Sequence, residues 1–292
     1  MNGLIFAILA AILFGVSPLF MKSGVKKTPS YLGAAVWTTV MLIFAIVQVG
    51  RTGTVTKLSS LGNIRLLLLV LSGIALGGAI IFLFHALKDG EVIKVVSILA
   101  PEYFVLYILA RIIGKTLPSI PRIVVLVVLV VAVVMMATKS KGKGGRAWCR
   151  NSLISMGLLV LSKYIYRYHV GGLATSFRYL CLFLIAAIVV WIAALSTRSL
   201  SSIRKMSFVD GILIIGSVIL LAAANLCASQ AVVNGSVVST QLLLFASMIS
   251  TVLFACAFLK ERMTAQYLVG LCIFQAGCFL WLGYIPVLSE ML

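Results

Sequence analysis

Ten separate apolar stretches, each about as long as a bilayer crossing, constrain this chain more than any other feature. They lie near residues 3–21, 31–49, 66–87, 92–113, 121–138, 152–169, 174–195, 208–232, 236–259 and 265–285, and a spanning helix needs about 20 mostly apolar residues. Little chain is left outside them. Of the 292 residues 62% are hydrophobic and only 10% charged, against about half and about a quarter in a soluble domain. At these lengths only helices satisfy their own backbone in lipid. The expected fold class is therefore an all-α integral membrane protein, a compact bundle of ten transmembrane helices.

Several function classes are disfavoured by what the loops lack. There is no nucleotide-binding P-loop, zinc-spaced Cys/His cluster or extramembrane domain, so an ATP-driven pump, a metal or cofactor enzyme, or a receptor with a soluble head is not expected. Cys181, Cys227, Cys256, Cys272 and Cys278 fall inside predicted spans and Cys149 in a loop, which indicates packing residues and no disulfide framework. The apolar run Leu4 to Phe20 has no basic segment before it and no small-residue cleavage site, and Lys22 follows it. It reads as a retained first span. The formal charge of +18 sits in short loops, as membrane anchoring requires, and no nucleic-acid partner is expected.

A basic linker, Lys139 to Arg150 with five cations, divides the ten stretches into two sets of five: a first unit 1–138, the linker 139–150, and a second unit 151–292. Five is odd, so a second similar unit sits inverted relative to the first, an arrangement that builds a midplane site able to open to either side. Laying Ala86 onto Ala231 aligns "HALKDGEVIKVVSILAPEYF" with "QAVVNGSVVSTQLLLFASMI", matching Gly90 with Gly235, Val92 with Val237 and Leu99 with Leu244. One residue further on, "RIIGKTLP" occupies the place of "AFLKERMT". Counted by the positive-inside rule, the loops favour both termini outside, with most of the bias in the second half and the linker.

These residues resemble the EamA-type branch of the drug/metabolite transporter superfamily, and the likeness covers nearly the whole chain. Its most specific element is "FLKERMT", Phe258 to Thr264, similar to the family's Gly-Glu-Arg-Leu-Thr turn. "AAILFGVSPLFMKSG" at Ala10 to Gly24, the Ala-Leu-x-x-Gly pattern at Ala86 to Gly90, and "FRYL" at Phe177 to Leu180 support it. The first half departs from the pattern, with Lys115 and Thr116 where Glu and Arg are usual and Trp37 near the usual arginine. The resemblance implies secondary transport, with substrate in a cavity lined by the first, third, fourth, sixth, eighth and ninth spans.

Ionisable groups at bilayer depth are costly and hence functional candidates. Glu102 is the carboxylate furthest from an interface, about ten residues into the fourth span, with Tyr103 beside it and Pro101 loosening the helix. It reads as a proton-titrating or cation-binding group, or as half of an ion pair with Lys94, Lys163 or Arg178. Lys163 lies equally deep in the sixth span, placed to hold an anionic substrate group or to neutralise Glu102. Arg167 follows on its face, with Tyr164 and Tyr168 on an adjacent one. His85 and Gln230 are matched by the repeat alignment, as cavity rim or as headgroup-level residues. Asn225 and Gln241 are placed for substrate or interhelical hydrogen bonds, and Gln275, Gly270 and Gly277 for helix packing or a dimer face. The run Gly73 to Ala79 should allow close helix approach.

The function expected is secondary transport, export or exchange, of small polar metabolites such as amino acids or organic anions by alternating access, with or without protons. The alternative is a lipid-linked solute flippase component or an intramembrane lipid-modifying protein. Catalysis is not expected from six acidic residues, two histidines and short loops. The partners are a small-molecule substrate and the bilayer of a cell membrane, for a monomer or homodimer.

Overall fold

The structure, a computed structural model, describes residues 2–53, 62–115, 118–137, 146–170, 173–197, 199, 206–235 and 237–283, with backbone only at residues 2, 237–244 and 283. Among them are eleven helices and no strand: α1 Asn2–Val25, α2 Ser30–Thr52, α3 Asn63–Asp89, α4 Val92–Leu99, α5 Glu102–Ile113, α6 Ile120–Ala137, α7 Ala147–Tyr168, α8 Thr175–Ser196, α9 Phe208–Asn234, α10 Val237–Leu259 and α11 Ala265–Gly283. Eight stretches are long and apolar enough to cross a membrane, with α4 and α5 together counting as one, and Phe245–Leu259 of α10 is a shorter apolar helix. α7 matches them in length, with 22 residues, but carries Arg150, Lys163 and Arg167. The chain is a multi-pass helical membrane protein.

The fourth span is two helices because of Pro101. With no N–H it cannot donate to the carbonyl of Ser97, and its ring clashes one turn back. α4 closes at Leu99, and α5 restarts with Phe104 and Val105 N–H groups both donating to the Pro101 carbonyl at 2.9 and 3.0 Å. The break places Glu102 in the first turn of α5.

Successive spans run from one end of the bundle to the other. At one end the tip of α1 approaches the α3–α4 turn, where Lys22 Nζ donates to the Gly90 carbonyl, and Trp148 at the start of α7 packs on Gly90. At the other end Gly3 meets the Asn234–Gly235 turn, and Tyr107 of α5 meets Arg122 of α6. These are called the Gly90 end and the Asn234 end below.

Packing follows a regular scheme. α1 lies against α9 and α10, and α7 against α3 and the α4–α5 pair, while α2 packs on α8 and α6 on α11. Individual contacts recur at a spacing of 145 positions. Ser17 Oγ donates to the Ser217 carbonyl at 2.9 Å and Ser72 Oγ to the Ser162 carbonyl at 2.9 Å; Ser162 stands 145 after Ser17, and Ser217 stands 145 after Ser72. Gly3 on the Asn234–Gly235 turn is answered by Trp148 on Gly90. Lys115 and Lys260, the non-glycine residues with positive φ among those described, have φ of 53° and 56°. They too are 145 apart, so the turn keeps the register of Ala86 on Ala231, and the expected one-residue shift between "RIIGKTLP" and "AFLKERMT" is absent at this position.

Other boundaries also differ from the sequence reading. α7 begins at Ala147, inside the segment read as linker, so Cys149 and Arg150 are helical; Trp148, buried to 3% exposure, anchors that first turn and extends the helix beyond its apolar run. The small residues of α3 act as expected, because a Cβ at Gly73 would meet Ile185 at 2.6 Å and one at Gly77 the Ala186 carbonyl at 3.0 Å. Gly270 and Gly277 of α11 pack on α6, and Gln275 Nε2 donates to the Phe245 carbonyl at 3.1 Å. Their roles are thus intramolecular. The core is rich in aromatics where α5, α10 and α11 meet: Phe104 stacks on Phe245 at 5.4 Å and meets Trp281 edge-on at 5.1 Å.

Candidate functional site

Glu102 and Lys163 are drawn together from opposite halves of the sequence. Lys163 Nζ donates to Glu102 Oε1 at 2.5 Å, and lies 4.7 Å from the centroid of the Tyr103 ring. The hydroxyls of Tyr103 and of Tyr179 in α8 lie within electrostatic reach of the same ammonium. Two tyrosines therefore flank one part-buried charge pair, four residues from three helices in all, and the pair's net charge is zero while both members are ionised.

The direction of Lys163 identifies the space it faces. The exposed positions of α7, namely Arg150, Leu153, Gly157, Leu161 and Tyr168, follow one another at helical spacings of three, four, four and seven and form one outward stripe. Lys163 stands two residues past Leu161, about 200° around the helix. Yet its side chain is 38% exposed, against 16% for Glu102, and Tyr103 is 49% exposed. Lys163 thus lies on the inner side of α7 and still keeps part of its side chain exposed. Pro101, having no N–H, offers the Ser97 carbonyl no helical donor one turn before the pair.

The other expected site residues divide between this site and structural duties. Arg167 lies four residues after Lys163 on the same face of α7. Tyr164 is buried and contacts Tyr168 and His169, each with ring centroids 5.2 Å apart. Arg178 caps the end of α7: its Nη1 donates to the Val170 carbonyl at 2.5 Å and the Tyr166 carbonyl at 3.4 Å, with the guanidinium 4.3 Å from the Tyr166 centroid. His85 is tied to its own helix, Nδ1 to the Ile81 carbonyl at 2.8 Å, and abuts Tyr31 edge-on at 4.7 Å. Asn225 bonds back to the Leu221 carbonyl at 2.8 Å. Gln230 shares the exposed stripe of α9 with Ile212, Ile219 and Val233 and accepts from Asn234. The side chain of Gln241 lies outside the described residues. Of the partners open to Glu102 in the sequence, Lys163 is the one it takes; Lys94 pairs instead with Glu91 at 2.5 Å.

Three features escaped the sequence reading. Tyr179 directly follows Arg178, and nothing in one dimension distinguishes it. Trp37 of α2 is buried with its indole N–H lacking a hydrogen-bond partner among the described residues, and its ring lies 6.4 Å from Phe183, itself 4.7 Å from Tyr179. Glu261 was visible only as part of a motif. Its two carboxylate oxygens accept the backbone N–H groups of Val92 and Ile93 at 2.8 and 3.1 Å, capping α4 from the α10–α11 turn. Lys22 Nζ lies 3.8 Å from Oε1. Burial pushes the Glu261 carboxyl above its ordinary pKa, against the two amides and Lys22, which favour its charge.

Among the described residues no group of His, Cys, Asp and Glu is placed to hold a metal ion. No family model matches the chain, and no curated protein does. Among solved structures, one described only as "Crystal structure of protein" matches over 99% of this chain and 98% of its own, with a TM-score of 0.56 at 14% identity, a likeness of fold alone.

Proposed function

We propose that the chain is a secondary transporter, an exporter or exchanger of small polar metabolites such as amino acids or organic anions, working by alternating access. The observation that carries this reading is the Glu102–Lys163 pair: a carboxylate and an ammonium at bilayer depth, bonded at 2.5 Å, facing inward yet open. Such groups are retained in membrane spans against a cost of about 2.5 to 3.5 kcal/mol each. A neutral pair suits a substrate with an anionic group, which takes Lys163 while Glu102 accepts a proton or a substrate cation.

The two-unit architecture, ten spans as inverted repeats over 1–138 and 151–292, is part of the proposal. It is supported by the contacts that recur at a spacing of 145 and by the exchange symmetry of the helix packing, in which α1 on α9 corresponds to α7 on α3. The EamA-type reading rests on the sequence motifs, to which Glu261 adds a physical duty for the "KER" turn.

Purified protein in proteoliposomes, offered amino acids, organic acids and lipid precursors, tests the reading. With a transported solute in hand, Glu102→Gln abolishes pH-driven uptake and leaves solute exchange. Unchanged pH-driven uptake would rule out coupling through Glu102. Transport of lipid precursors alone would favour the flippase alternative.

A further inference from the structure

The pair at Glu102 is not equally close to the two ends of the bundle in what surrounds it. On its Asn234 side, Tyr103 is 49% exposed and the Lys163 side chain 38%. Toward the Gly90 end, Val92, Ile93, Val95, Ser97 and Ile98 of α4 are all buried, and two layers of polar contacts fasten this helix across the bundle. In the outer layer Glu261 caps Val92 and Ile93 and faces Lys22, whose ammonium also bonds the Gly90 carbonyl. In the inner layer, one turn deeper, the Tyr267 hydroxyl of α11 bonds Ser97 Oγ at 2.9 Å and the Ile93 carbonyl at 3.2 Å.

The outer layer joins three separate elements. Glu261 belongs to the α10–α11 turn, the amides to α4, and Lys22 to the last turn of α1. The carboxylate is well placed for this, since an N-terminus presents unsatisfied N–H groups and the positive end of the helix dipole. Lys260 in its left-handed conformation, φ 56°, turns the chain so that Glu261 points back into the bundle, where its side chain is only 7% exposed. At the 145 spacing Glu261 corresponds to Thr116 and Lys22 to Arg167. The sequence thus supplies a cation at both places and a carboxylate at one.

We propose that Glu261 is a gate latch: by capping α4 and pairing with Lys22 it holds α1, α4 and the α10–α11 turn together and closes the Gly90 end, leaving the Glu102–Lys163 site open toward the Asn234 end. Release of the carboxylate frees the α4 tip and lets the Gly90 end open. The inference rests on the alternating-access reading above, and goes beyond it in naming the residue that sets which end is shut.

Hydrogen–deuterium exchange of the full chain in lipid nanodiscs tests it without any solute. In Glu261→Gln, which keeps one acceptor and loses the charge, the amides at the start of α4 exchange about tenfold faster or more. In the same protein the end of α5 and the start of α8, at the Asn234 end, exchange more slowly, because opening one end closes the other. Lys22→Gln, which leaves the cap in place, produces the same reciprocal pattern at smaller amplitude. Faster exchange at α4 with no change at the Asn234 end would mean a helix cap without a gate and would overturn the proposal; so would no change at either end. If Glu261→Gln does not assemble, Lys22→Gln decides by the same two readouts. A reciprocal pattern together with intact pH-driven uptake in Glu102→Gln would sustain the latch and sink coupling through Glu102.

Discussion

At the scale of single residues, the ion pair of Glu102 and Lys163 sets a strong expectation. Removing one member leaves a partly buried charge without its partner, whereas removing both leaves two neutral amides able to bond each other. Breaking a buried pair costs several kcal/mol; the 38% exposure of Lys163 reduces this to about 1–2 kcal/mol for either single substitution. Glu102→Gln and Lys163→Gln should each lower the thermal stability of the purified protein, and the double variant should lose less than the sum of the two. Strictly additive losses in the thermal unfolding cycle would show that the two groups do not depend on each other. Depth in the sequence made both residues legible as candidates, because a charge ten or more residues into an apolar run has no short route to water. Their partnership was legible only as one of three, with Lys94 and Arg178 equally open to Glu102. It depends on which faces of α5 and α7 meet, and the rotation of each helix is set by packing along its whole length. Glu261 was hidden for a similar reason: its amide partners are 168 and 169 positions away, and nothing in a "KER" turn states which helix end it will reach.

At the scale of elements, glycines distinguish the contacts that fix the bundle from those that do not. A Cβ at Gly15 of α1 would lie 2.5 Å from Ser250 Cβ, and 2.8 Å from both the Ser247 carbonyl and the Thr251 nitrogen of α10. The last two are backbone atoms and cannot be moved aside by a rotamer change. Gly157 of α7 has nothing within 4 Å of the same position. Gly15→Ala should therefore destabilise by about 1–3 kcal/mol as α1 and α10 are forced apart. Gly157→Ala should be neutral or stabilise by up to about 1 kcal/mol, because alanine favours the helix. Thermal unfolding of the two variants side by side checks this, and equal effects would show that α1 and α10 are not in close contact. The sequence made the existence of these helices plain through their apolar length, and Pro101 announced the break in the fourth. Helix starts were less legible, as α7 shows. Its first turn carries polar and basic residues that resemble a loop, and Trp148 makes it helical by burying itself against Gly90, a contact between distant parts of the chain.

At the scale of the whole molecule, the alternating course of the spans ties together positions that are remote in sequence. Lys22, Gly90, Trp148 and Glu261 share one end, whereas Gly3, Asn234, Tyr107 and Arg122 mark the other. Among the described residues the Gly90 end carries Lys22, Lys26, Lys27, Lys88, Arg146, Arg150, Lys260 and Arg262. The positive-inside rule, which counts Lys and Arg and gives little weight to acids, gives the expectation that this end faces the cytoplasm. Single cysteines placed at Arg146 and at Lys260, both exposed, should then react with a membrane-impermeant maleimide from the cytoplasmic side, and one at Asn234 from the outer side. Labelling of the first two from opposite faces would break the proposed ten-crossing arrangement, because an odd number of crossings would separate them. Labelling of the two together from the outer face, with Asn234 inside, would keep the arrangement and reverse its orientation. The expected result would make the open side of the Glu102–Lys163 site the outer one and place Glu261 on the cytoplasmic face. A solute leaving the cell would then have to undo the contacts of Glu261 before it could reach Lys163.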